Sequence, residues 1–126
     1  MIKTEVDESL RLTCQRCKGK IIVAEIAEVI QKFYKAGPTL HVLWDLSEAD
    51  LSSVKSAEIE GLVRIVMLSV HSRAGGRNAI VSPTDISFGL SRVYQSFAEA
   101  KDQMTQTRVF RTEDEARQWI REAASE

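Results

Sequence analysis

Cys14-x-x-Cys17 is the spacing in this chain that most directly suggests chemistry, either a redox pair or half of a zinc site. A redox pair wants its first thiol at the N-terminus of a helix, where the dipole stabilises the thiolate. Here the pair falls late in a segment that alternates like a strand, and two residues three apart on a strand point to opposite faces. Zinc would need two more ligands, and the chain's two histidines, His41 and His71, are both distant in sequence. The cysteines therefore read as structural, and no metal or cofactor is expected. His41 falls inside an apolar strand and His71 near the end of a helix, where the dipole favours it. Neither stands in a motif with Ser, Cys or Asp that would signal a catalytic triad.

Gly75-Gly76-Arg77 lies between a helix and a strand, the reverse of a phosphate loop, and reads as a turn that needs positive φ. Arg73, Arg77 and Arg92 would form an anion site only if they converged at one end of a sheet; arginines are mostly solvated. The stretch Asp45–Ser56, read as a loop, is richer. It carries Asp45, Glu48 and Asp50 with Ser47, Ser52, Ser53 and Ser56 ahead of a helix. Phosphorylation of a serine there adds about 1.5 to 2 negative charges at a helix N-terminus, which can switch a docking surface. Ser and Asp are also the ordinary residues of loops and caps.

The elements that must position these residues follow from periodicity. Ile2, Thr4, Val6 and then Leu10, Leu12, Cys14 alternate as two strands around an Asp7-Glu8-Ser9 turn. Ile26, Val29, Ile30 and Phe33 have helical spacing, and the helix must stop near Gly37-Pro38. Leu40–Leu46 (LHVLWDL) is an apolar strand that runs into the polar segment above. Ile59, Leu62, Val63, Val66 and Val70 mark a second helix, and Asn78–Ser82 a short buried strand. Thr84 caps a third helix with Ile86, Leu90, Val93, Tyr94 and Phe97 on one face. Arg108–Arg111 is a last strand, and Thr112 with Glu115 is a capping box for a helix that turns Ala116, Trp119, Ile120 and Ala123 inward. The order is β-β-α-β-α-β-α-β-α, which is an α/β chain whose helix-linked strands run mostly parallel with right-handed crossovers.

A chain of 126 residues with 44% hydrophobic and 28% charged residues fits one soluble domain, expected to span residues 1–126. Seventeen Lys and Arg against 18 Asp and Glu leave a charge of −1, which argues against nucleic acid as a partner. The start MIKTEVDES lacks the apolar core of a signal peptide, and no hydrophobic run approaches the roughly 20 residues that span a bilayer. Cytoplasmic location without membrane insertion is the expectation.

With this order laid out, the chain resembles the STAS superfamily (sulphate-transporter and anti-sigma-factor-antagonist domains), and within it the SpoIIAA-like branch of small bacterial proteins. The likeness is carried by Leu40–Ser47 (LHVLWDLS), Gly75–Asp85 (GGRNAIVSPTD), Phe88–Tyr94 (FGLSRVY) and Val109–Ile120 (VFRTEDEARQWI). It implies a βα superhelix around a mixed, mainly parallel sheet, and a non-enzymatic module that works through protein contacts. In regulatory members a Ser at the start of the helix after the central strand is phosphorylated by a partner kinase, usually within Asp-Ser-Ser-Gly. The corresponding stretch here is Leu51-Ser52-Ser53-Val54-Lys55. A gap-free match lands on Val54, and a slip of one or two residues recovers Ser52 or Ser53.

The expected function is therefore a regulatory or protein-interaction module, not an enzyme, with Asp45, Ser47, Asp50, Ser52 and Ser53 as the contact or phosphorylation residues. Its expected partners are another protein or a second copy of itself, a homodimer being favoured if a sheet face is left uncovered. A small apolar or lipid-like ligand is the alternative. Trp44, Phe88, Tyr94 and Met67 would then line a pocket with Arg77 or Arg92 at its mouth.

Overall fold

The structure, a computed structural model, describes residues 1–124. Its strands are β1 (Ile2–Asp7), β2 (Leu12–Lys20), β3 (His41–Asp50), β4 (Arg77–Val81) and β5 (Gln106–Phe110). Its helices are α1 (Val23–Lys35), α2 (Ser56–Met67), α3 (Asp85–Lys101) and α4 (Glu113–Ala124), with 3-10 turns at Glu8–Leu10 and Val70–Arg73. The expected element order is borne out. The last two residues of the expected 1–126 span lie outside the described residues.

The strands lie side by side in chain order, β1-β2-β3-β4-β5. Only β1 and β2 are antiparallel; the other three pairs are parallel. Sequential parallel neighbours joined by crossovers of one hand place their helices on one face. Accordingly α1 packs on α2 and α2 on α3, while α4, which follows the last strand, covers β3 to β5 from the other side.

Period-two alternation feeds both layers. Leu12, Cys14, Leu43, Ala79 and Val81 meet Ala116, Trp119 and Ile120 of α4. Cys17, Trp44 and Leu46 face the opposite layer with Ile26, Ile59, Leu90 and Tyr94. Trp44 and Trp119 are thus on opposite faces of the sheet.

Local signals placed the helix starts. Thr84 accepts from the Ser87 N–H, and Thr112 accepts from the Glu115 N–H while donating to its carboxylate. Gly75 has φ +87, as the turn before β4 requires. Gly76 is needed for closeness instead, since a Cβ there would fall on the Leu40 carbonyl oxygen.

Three expectations are corrected. The segment Asp45–Ser56 is not one loop, because β3 continues to Asp50 and leaves only Leu51–Lys55 irregular. Beyond Asp45, β3 has lost β4, which ends at Val81, but Glu48–Asp50 still pair with Lys18–Lys20 across a register shift in β2. Backbone pairing alone sustains such an extension, so its polar side chains do not announce it. Ile86 is not inward: it lies in the first turn of α3, 72% exposed. Val70 belongs to the 3-10 turn and not to α2.

Candidate functional site

The C-terminal ends of β2 and β3 and the start of α2 carry the serine-rich surface. Asp45 Oδ1 accepts from the backbone N–H of Ser47 at 3.0 Å and from its hydroxyl at 2.6 Å. The other carboxylate oxygen takes Arg16 at 2.9 Å. Asp45 is buried and fully engaged, so with Ser47 it forms a structural joint where β3 leaves β4.

Asp50 has a similar role at the end of the strand. Its Oδ1 accepts from the Ser52 N–H at 3.0 Å, and bonding to Ser52 holds the carboxyl below its ordinary range. Leu51 and Val54 are buried on the α1–α3 side of the sheet, whereas Ser52 and Ser53 between them are exposed. Ser53 Oγ reaches the Ile21 carbonyl at 3.4 Å. Glu58 accepts from the Lys55 N–H at 2.9 Å, satisfying a donor at the start of α2. Of the five expected contact residues, Asp50, Ser52 and Ser53 therefore share one turn, and Asp45 and Ser47 lie deeper along β3.

The pocket residues divide differently. A cavity of about 100 Å³ lies between the sheet and α1–α3, and Trp44 and Tyr94 both line it. Phe88, Met67, Arg77 and Arg92 do not. The Phe88 ring carries the Arg111 guanidinium 3.9 Å from its centroid. Arg77 is on the α4 face, donating to the Trp119 carbonyl at 2.7 Å and lying 5.1 Å from that ring's centroid. Arg92 is exposed on α3. The three arginines named for an anion site thus do not converge.

The charged group at the cavity is Arg73, which is 2% exposed. It donates to Leu40 O at 3.1 and 3.0 Å, to Tyr34 Oη at 3.0 Å and to Asn78 Oδ1 at 2.6 Å. No carboxylate among the described residues forms an ion pair with it. Its partners come from α1, the segment before β3, and β4. No local pattern could have named it.

Cys14 and Cys17 go to different cores, on opposite faces of β2. Burial pushes the Cys14 thiol up to about 11 and the Cys17 thiol up to about 12. Both are the reverse of activated. His41 is buried; its Nδ1 accepts from the Arg77 N–H at 3.0 Å, and burial followed by the Arg73 charge lowers its pKa. His71 is exposed in the turn before β4. Both histidines lie toward the N-terminal ends of the parallel strands, away from Asp45 and the serines. No group of three or more potential metal ligands occurs among the described residues. None of the described helices is long and apolar enough to cross a membrane.

No family model matches the sequence, and no curated protein matches it. Solved structures do. The chain matches the anti-sigma factor antagonist SpoIIAA in its unphosphorylated form at TM-score 0.50 and 17% identity, over 96% of this chain and 98% of that one. It matches the Bacillus cell fate determinant SpoIIAA in the phosphorylated form at TM-score 0.50 and 15% identity, over 95% and 99%. At such identities the likeness establishes the architecture: this chain has a SpoIIAA-like fold.

Proposed function

We propose that the chain is a regulatory, protein-interaction module of the STAS type that docks through the Leu51–Lys55 turn and the first turn of α2, and that it is not an enzyme. The observation that carries this reading is the construction of the turn. Two buried apolar residues, Leu51 and Val54, anchor it, and the serines between them are presented to solvent at the C-terminal end of a parallel sheet. Rigid anchoring beneath an exposed polar tip is how folds display recognition residues. The structurally similar SpoIIAA is described as an anti-sigma factor antagonist and is known in phosphorylated and unphosphorylated forms.

Ser52 and Ser53 are the proposed phosphate acceptors. A phosphate on Ser52 would place about 1.5 to 2 negative charges beside the Asp50 carboxylate that holds this residue's own N–H. Repulsion would open the turn and release a partner seated on it. Asp45 and Ser47 contribute by holding the strand end, not by contact.

The test is the intact mass of the protein purified from its host, with peptide mapping, beside affinity capture by wild type and by Ser52→Glu. Support would be an added mass of about 80 Da on Ser52 or Ser53 together with a partner that the glutamate variant loses. A partner retained equally by both forms would place docking elsewhere.

The homodimer expectation has weaker support. The area of the α4-side face left uncovered at β1 and β2 carries Glu5, Asp7 and Arg16; Arg16 bonds to Glu5 and to Glu113 of α4, and Asp7 pairs with Arg117 of α4. That surface is mainly charged, with Val6 as its exposed apolar residue, and so offers little for a second copy to bury.

A further inference from the structure

The cavity between the sheet and α1–α3 has two chemically different ends. Toward the N-terminal ends of the parallel strands it is lined by Arg73 with Tyr34 and Asn78, each of which accepts from it, and with Tyr94 nearby. Toward the other end it is walled by Leu46, Leu51, Val54 and Ile59.

The polar groups facing it are short of acceptors. Tyr34 Oη accepts from Arg73 and keeps its own proton to donate. The Tyr94 hydroxyl makes no hydrogen bond to a described residue and, since no buried polar atom is left unpaired, it lies open to the cavity that Tyr94 lines. Gln15 is 1% exposed, and its Oε1 accepts from the Thr4 hydroxyl at 2.6 Å. Its amide nitrogen has no acceptor among the described residues. Arg73 adds a full positive charge without a carboxylate partner there. A donor-rich, positive end lining a cavity is complementary to a group that only accepts and is negative.

We propose that this cavity binds a short-chain monocarboxylate, with its carboxylate at Tyr34, Arg73 and Tyr94 and its hydrocarbon chain running along Trp44 toward Leu51 and Val54. Size sets the length. A dry cavity of about 150 Å³ holds benzene, so about 100 Å³ suits a ligand of roughly four to six non-hydrogen atoms, with butyrate at the upper limit. Inorganic anions lack the apolar body that the other end requires. The proposal does not depend on the docking turn.

Butyrate and its neutral isostere butyramide are the probes, titrated at constant ionic strength into the full chain. The readouts are tryptophan emission and melting temperature. Trp44 lines the cavity, and Trp119 is on the opposite face of the sheet. Butyrate is expected to shift emission saturably with a dissociation constant of about 1 mM or below, and to raise the melting temperature. In Trp44→Phe the emission change disappears and the stabilisation persists. Butyramide and the Tyr94→Phe variant each weaken binding about tenfold, as expected for losing the charge or one donor to it. Val66→Phe, which fills the cavity from α2, abolishes the response. No saturable response of the folded wild type at about 20 mM butyrate overturns the proposal, since so weak a ligand is not recognised. Equal affinity for butyramide, or unchanged affinity in Tyr94→Phe, overturns the assignment of the polar end.

Discussion

Arg16 of β2 grips Glu113, the first residue of α4, at two points: Nη1 to Oε1 at 2.7 Å and Nη2 to Oε2 at 3.1 Å, across 97 residues of sequence. The same guanidinium reaches Asp45 and Glu5, and Glu113 also takes Arg117 at 2.7 Å. One arginine thus ties the edge hairpin, the central strand and the last helix together.

That contact makes stability depend on acid. The bond from Arg16, and then that from Arg117, hold the Glu113 carboxyl at about 2 against the opposing effect of burial. With the folded pKa depressed, the stabilisation is complete above the ordinary value of 4.5 and fades as pH falls toward 2. Discounted for partial exposure, it amounts to about 1 to 2 kcal/mol. Urea unfolding of wild type and Glu113→Gln should differ by that amount at neutral pH and converge near pH 2.

The glycines separate by their surroundings. Gly76→Ala should lower stability by about 3 kcal/mol or more, because the new Cβ meets the Leu40 carbonyl oxygen and lies 2.9 Å from that of Arg73. Gly61, exposed in α2 with nothing within 4 Å of a Cβ, should gain about 0.5 to 1 kcal/mol as alanine. Melting temperatures moving in opposite directions would bear this out; a neutral Gly76→Ala would contradict the close approach.

Neither thiol should behave as a redox group. With Cys14 at about 11 and Cys17 at about 12 through burial, both stay protonated near pH 8. Native protein should react with a disulfide reagent only as fast as it opens, and both thiols should titrate at once in denaturant. Oxidation should not link them, since they enter separate cores on opposite faces of β2. Rapid modification of the folded protein would refute this.

The docking turn predicts a contrast between its anchors and its tip. Leu51→Ala and Val54→Ala should each cost about 1 to 3 kcal/mol, by emptying buried positions. Ser52→Ala and Ser53→Ala should stay within about 0.5 kcal/mol of wild type, being exposed. Chemical denaturation of the four variants decides it. A serine variant as damaging as the leucine variant would make the serines structural.

Much of the fold was legible because its signals are local. The helix periods around Ile30 and Leu62, the caps at Thr84 and Thr112 and the stop at Gly37-Pro38 each act within a turn or two of chain. The opposite facing of Cys14 and Cys17 followed from strand geometry alone. Ile86 misled because the first turn of a helix can satisfy the apolar spacing while lying beyond the sheet.

The sequence by itself determined the element order, the α/β class and the exposed serine pair beside apolar Leu51 and Val54. It also determined which residues alternate, and through that which ones could share a face. Only the tertiary structure decided that β3 runs on to Asp50, because backbone pairing with β2 requires no particular side chains. It alone set Arg77 and Arg92 apart and put Arg73 against Tyr34, Leu40 and Asn78. That last choice is invisible in the chain, since a buried guanidinium is defined by carbonyls and rings that three different elements bring to it.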